Sequence, residues 1–139
     1  MDALFDKHIT LLHKSLDFRT QRNNLLAANV ANVETPGYKA KDLVFEKALG
    51  EAMHQNEPGP LNVTNPRHLN GRTPTPLEAV KAQSIETGNP VGSADGNTVD
   101  LEREMAKLAE NQVAYAAMTR MISHKFHLLK TAMQQDGGE

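Results

Sequence analysis

Residues 3–33 read ALFDKHITLLHKSLDFRTQRNNLLAANVANV, without one proline or glycine. Within that stretch Phe5, Ile9, Leu12, Leu16, Arg19, Asn23, Leu26, Val30 and Val33 follow one another at alternating steps of four and three. Such steps keep side chains on one stripe of an α-helix. The spacing therefore predicts a heptad seam of about four heptads, interrupted by the polar residues Arg19 and Asn23. Leu25, Ala27, Ala28 and Ala31 widen the stripe towards its C-terminal end, where it can touch more than one neighbour.

The other end of the chain repeats the pattern. Residues 99–136 also lack proline and glycine. Leu101, Met105, Leu108, Gln112, Tyr115, Thr119, Ile122, Phe126, Leu129 and Met133 keep the same spacing, with Gln112 and Thr119 as polar members. Asp100 suits an N-cap, Glu102 and Glu104 fall in the first turns, Arg120, Lys125 and Lys130 fall in the second half, and Gly137 follows the end. Charges and caps thus agree with the polarity of one long helix. A helix of roughly 35 residues is a rod of about 50 Å.

A single-striped helix of this kind is not stable alone in water. Two seams of similar length predict a mainly α fold, in which the long N- and C-terminal helices pair as an antiparallel coiled coil. The pair leaves apolar area uncovered, so further partners are expected. If the helix ends coincide, Asn23 lies opposite Gln112, and Thr119 lies near Arg19 or Leu16. Arg19 and Arg22 then approach Glu104 or Glu110.

All seven prolines and seven of the nine glycines lie between the two helical stretches. The chain accordingly divides into an N-terminal helix over 1–34, a turn and irregular middle over 35–98, and a C-terminal helix with a tail over 99–139. A short helix is expected at 42–55, with Asp42 as cap, Phe45, Leu49 and Met53 inward, and Gly50 weakening it. Residues 56–97 read as extended segments and turns. Within them, Leu61–Val63 and Ala79–Ile85 fit either a brief strand or a helical turn.

Composition excludes several functions. The 139 residues suit one domain, and a formal net charge of -2 gives no basic surface to attract nucleic acid. Four Phe, two Tyr and no Trp leave the core to aliphatic side chains. The absence of cysteine removes disulfides, thiolate metal sites and cysteine nucleophiles. No stretch approaches the roughly 20 apolar residues that span a bilayer. Asp2, Asp6, Lys7, His8 and His13 interrupt the N-terminus, so no cleavable signal peptide is expected. His124 and His127 are three apart but lack a third ligand or a nearby carboxylate, which argues against a metal site. Phosphate loops, serine-nucleophile motifs and metalloprotease motifs are missing too. Catalytic, cofactor-binding and metal residues are therefore expected to be none, with no small-molecule substrate.

The most informative segment is Leu25–Lys39, LLAANVANVETPGYK. Asn29 and Asn32 stand three apart near the helix end. Thr35-Pro36-Gly37-Tyr38 has the form of a type II turn, with Pro36 presetting φ and Gly37 supplying φ > 0. The segment closely resembles the Asn-Asn-Thr-Pro-Gly-Tyr signature of flagellar axial proteins, which are the rod, hook and hook-associated subunits. A second segment, DGNTVDLEREMAKLAENQVAY over Asp95–Tyr115, resembles the start of the C-terminal helix in the FlgB-like proximal rod family. The middle, 56–94, carries no motif of that family.

The resemblance implies a structural subunit without a cofactor. It implies export by the flagellar type III apparatus without signal-peptide cleavage, and a place in the periplasmic rod of the bacterial flagellum basal body. Implied partners are other copies of the chain, other rod proteins, and membrane-ring and export-gate components. It further implies terminal helices that order on assembly. Asn29, Asn32, Thr35, Pro36, Gly37 and Tyr38 then form the assembly turn, and the seam residues form the packing surface. The rival reading is a cytoplasmic helical-hairpin adaptor or regulatory coiled-coil module, which has no need of the Thr-Pro-Gly-Tyr turn. A di-metal helical bundle fails, because the long helices contain no Glu-x-x-His pair.

Overall fold

A computed structural model describes residues 2–54, 77–87 and 95–135. Helix α1 spans Asp2–Ala31 and helix α3 spans Leu101–Gln135. Between them lie strand β1 (Lys41–Val44), helix α2 (Glu46–His54), a 3₁₀ turn at Leu77–Ala79 and strand β2 (Gln83–Glu86). The fold is mainly α. Arg19 bonds to Asn111 while Asn29 bonds to Glu104. Ascending α1 therefore meets descending α3, and the long helices pair antiparallel.

The core lies beside this pair, on a second face of α1. Phe18 packs with Leu43 of β1, Phe45, Leu49 and Ala52 of α2's layer, and Leu77 and Val80. The Phe18 and Phe45 rings sit 5.2 Å apart at a tilt of 42°, an arrangement that aromatic quadrupoles favour. Leu11 and Leu25 flank Phe18 on α1, and Ala48, Met53 and Ala82 close the other side. Phe18 lies off the 4-3 seam. Helix α1 therefore carries two apolar faces, one for α3 and one for the middle segment.

The middle segment differs from its expected form. The helix expected from residue 42 begins at Glu46, and residues 41–44 are a strand. Asp42 does not cap the helix. It pairs with Ile85 in the antiparallel ladder of β1 and β2. Pairing over 40 residues away is invisible to a local reading. Phe45 and Leu49 are buried and Met53 is half-buried. The stretch Ala79–Ile85 resolves into the end of the 3₁₀ turn and the start of β2. Leu61–Val63 lies outside the described residues.

Candidate assembly interface

The end of α1 is held by side chains rather than by further helix. Asn32 Nδ2 donates to the Ala28 carbonyl at 2.8 Å and its Oδ1 accepts from Thr35 Oγ1 at 3.1 Å. Pro36 cannot continue a helix. The Tyr38 N–H closes the turn on the Thr35 carbonyl at 3.3 Å, and Gly37 takes φ +73°. From the far side of the sequence, Asn97 Nδ2 donates to the carbonyls of Asn32, Val33 and Thr35 at 2.8–3.0 Å. It gathers three carbonyls of the turn that follows Ala31, the last residue of α1.

Two chain segments then run together. The Gly37 N–H donates to the Asp95 carbonyl at 2.9 Å and the Thr98 N–H to the Tyr38 carbonyl at 3.0 Å. Thr98 Oγ1 accepts from the Ala40 N–H at 2.9 Å. Gly96, at φ +74°, is placed so that a Cβ there would stand 3.9 Å from the Gly37 Cα. Asp100 then caps α3 through the Arg103 N–H at 3.1 Å.

Asn29 is the centre of the junction and is fully buried. Its Nδ2 donates to the Lys41 carbonyl and to Glu104 Oε2, each at 2.7 Å. Its Oδ1 accepts from the Lys41 N–H at 3.0 Å and from Tyr38 Oη at 3.3 Å. Both donors and both lone pairs are used, which a buried amide requires. The amide also engages both polar groups of the Lys41 peptide, as a neighbouring strand would, and so fixes where β1 starts.

A chain of charges extends outward from Glu104, itself buried. Lys107 Nζ lies 2.8 Å from Glu104 and 3.5 Å from Asp42. Arg22 grips Asp42 side-on at 2.7 and 3.1 Å and reaches Glu46 at 3.0 Å. Burial pushes the Asp42 carboxyl upward. The Arg22 hydrogen bond, the Leu43 N–H and the charges of Arg22 and Lys107 outweigh it and hold Asp42 below the usual carboxylate range. Arg22 therefore pairs with β1 and α2, not with Glu104, and it senses Glu110 only as a distant charge.

Three of the four polar interruptions of the seams, Arg19, Asn23 and Gln112, converge in one place, while the Thr119 hydroxyl bonds back to the Tyr115 carbonyl. Arg19, Thr20 and Asn23 of α1 and Asn111, Gln112 and Tyr115 of α3 line a groove of about 340 Å³. Asn23 and Gln112 share that groove, but the hydrogen-bonded pair is Arg19 with Asn111. Arg19 Nη1 donates to Asn111 Oδ1 at 3.3 Å, and Asn111 Nδ2 returns a bond to the Arg19 carbonyl at 2.9 Å. Positions across the pair therefore sum to roughly 130–133, about one turn short of the expected 135 at this level. Side-chain packing at the junction, rather than coincident ends, sets that register.

The seam residues divide by helix. On α1, Leu26 is buried, and Ile9, Leu12, Leu16, Val30 and Val33 are half-buried, the last just beyond the helix. The side chain of Phe5 lies outside the described residues. On α3, Leu108, Ile122 and Leu129 are half-buried, whereas Leu101, Met105, Tyr115, Phe126 and Met133 are exposed, Phe126 by 54% and Met133 by 71%. Glu104 and Asn111 face α1 instead. The α3 seam is turned to one side of the α1 contact and offers an apolar stripe to solvent, the usual mark of an interaction surface.

The chain is 32% identical to the flagellar basal body rod protein FlgB of Aeromonas hydrophila over 136 residues, 96% of this chain and 98% of the relative. It is 32% identical to FlgB of Escherichia coli (strain K12), covering 93% and 94% of the two chains. Against FlgB of Salmonella typhimurium the identity is 35%, over 79% and 80%. The chain belongs to the FlgB family of flagellar basal body rod proteins. The matches take in the middle stretch that carries no motif. No protein-family model matches the chain.

The structure adds Asn97, Glu104 and Asn111 to the junction. Of the three, only Glu104 is singled out by the sequence, as a first-turn acid and a partner for Arg19 or Arg22. Asn97 and Glu104 fall inside the quoted segment Asp95–Tyr115, but nothing local marks them as partners of Asn29 and the turn. A buried carboxylate at residue 104 has the same sequence signature as a solvated first-turn glutamate. Among the described residues, no helix is long and apolar enough to cross a membrane.

Proposed function

We infer that the chain is a structural subunit of the flagellar basal-body rod. It works as a building block and not as an enzyme. The observation that carries this reading is the uncovered apolar stripe of α3, Leu101, Met105, Tyr115, Phe126 and Met133, beside a junction built from the Asn29–Tyr38 turn. Its partners are other copies of the chain and other rod proteins, with membrane-ring and export-gate components at its inner end. It reaches the periplasmic rod through the flagellar export apparatus without signal-peptide cleavage. The seam residues form the packing surface, and Asn29, Asn32, Thr35, Pro36, Gly37 and Tyr38 hold the turn that orients it.

Assembly is coupled to ordering. The stripe of α3 gains cover from a neighbour, so the ordering entropy of the helix that carries it is offset at the moment of packing. The test is incorporation. Hook–basal bodies isolated from the producing cells should contain the chain, in amounts comparable to other rod proteins. A chain found only as a soluble cytoplasmic dimer would overturn the reading and restore the adaptor.

A further inference from the structure

Helix α3 exposes apolar side chains on two sides. Tyr115 lines the groove, and Leu101, Met105 and Phe126 are exposed along the same side of the helix, whereas Val113, Met121 and Leu128 are exposed elsewhere. At about 100° per residue, the second set lies on roughly the opposite side of the helix from the first. Glu110 shares the line of the second set, is exposed, and forms no ion pair among the described residues. A helix apolar on several sides is an enclosed helix.

The groove presents the complementary chemistry. Arg19 is half-buried in it, with its guanidinium 5.7 Å from the Phe45 ring centroid, and its one hydrogen-bond acceptor among the described residues is the neutral amide of Asn111. Among the described residues its Nε is closed off without an acceptor, and no carboxylate pairs with the guanidinium. An incoming anion on the groove side would offset the cost of half-burying that charge. Thr20, Asn23, Gln112 and Tyr115 add polar groups around it.

We propose that the groove receives Glu110 of a second copy, whose Val113, Met121 and Leu128 cover the first copy's groove-side stripe. This rests on the rod-subunit reading. Two copies lying parallel and level bring Glu110 within about 3 Å of the height of Asn111 and Gln112, without sliding one past the other. The contact joins two different surfaces, so each copy still offers its own groove or its own Glu110 to the next. A heterologous contact that does not close on itself builds an open helical array. The charge in the groove selects the neighbour's register, because a slipped copy would place an apolar side chain against Arg19.

The natural chain has no cysteine, which makes cross-linking clean. Two full-length versions, Thr20→Cys and Val113→Cys, are produced in the same cells, and their isolated basal bodies are oxidised. A covalent dimer containing one of each is expected, with little or none from either version alone. Separately, Glu110→Lys is expected to lower incorporation about tenfold or more through like-charge contact with Arg19, while the melting of the purified monomer is unchanged. Basal bodies that hold both cysteine versions yet give no mixed dimer overturn the docking and leave the rod-subunit reading intact. So does normal incorporation of Glu110→Lys. Absence of the unmodified chain from basal bodies overturns both.

Discussion

The Asn29 side-chain amide donates to the Glu104 carboxylate at 2.7 Å across a sequence separation of 75 residues. That one bond ties the end of α1, the start of β1 and the first turns of α3 together, because the same amide holds both polar groups of Lys41. The N-terminal turn is thus completed only when the C-terminal segment has arrived.

Removing that amide should be costly. Asn29→Ala leaves Glu104 and the Lys41 peptide short of partners, and each buried polar group so stranded costs about 1–3 kcal/mol. A total loss of about 3 kcal/mol is expected from urea denaturation. Asn32→Ala, whose bonds are local and exposed, should cost about 1 kcal/mol or less. Equal losses would mean that Asn29 does not organise the junction.

Two glycines should respond with opposite signs. Gly37 holds φ +73° with open space around a future Cβ, and Gly50 sits inside α2, also with open space. Gly37→Val strains the backbone and should destabilise by about 1–2 kcal/mol. Gly50→Ala should stabilise by roughly 0.5–1 kcal/mol, since it removes chain entropy from the unfolded state. Thermal melts of the two variants read both signs directly, and swarming should fall for Gly37→Val alone.

Acid should act through Asp42. Its folded pKa is depressed from the ordinary 3.8, so the unfolded state binds the proton more readily. The stability it contributes is fully present above that value and is lost as pH falls through the lower folded pKa. Melting temperatures followed from pH 7 to pH 2 should decline below about pH 4. Asp42→Asn should flatten that part of the curve, and an unchanged acid limb would remove Asp42 from the account.

Core and stripe should separate stability from assembly. Phe18 is buried among Leu43, Phe45 and Leu49, so Phe18→Ala should cost about 3–5 kcal/mol. Phe126, half of it open to solvent, should tolerate Phe126→Gln within about 0.5 kcal/mol in the monomer. Basal-body yield should nevertheless drop for Phe126→Gln. Normal yield would exclude the stripe as a packing surface.

Hydrogen exchange on the purified monomer should grade along the helices. The amides of 15–31 and 101–111 lie against the core or the junction and should exchange slowest. Residues 118–134 belong to neither, and their amides should open at lower free energy. Uniform strong protection in a proven monomer would contradict ordering on assembly.

The amino-acid order alone dictated the two long helices, since freedom from proline and glycine and 4-3 spacing are local properties that the backbone obeys wherever a partner lies. It also determined the punctuation at Pro36 and Gly37, where φ is set by the residue itself. Which stripe each helix turns to which neighbour followed from long-range packing. Phe18 stands off the seam and proves central because β1 and α2 fold onto it. Asp42 reads as a helix cap and becomes a strand residue because Ile85 supplies a ladder. Glu104 and Asn111 face α1, while the apolar seam of α3 stays open beside them. Periodicity says which side chains share a face. It does not say what covers that face, because that depends on contacts between residues far apart in the chain.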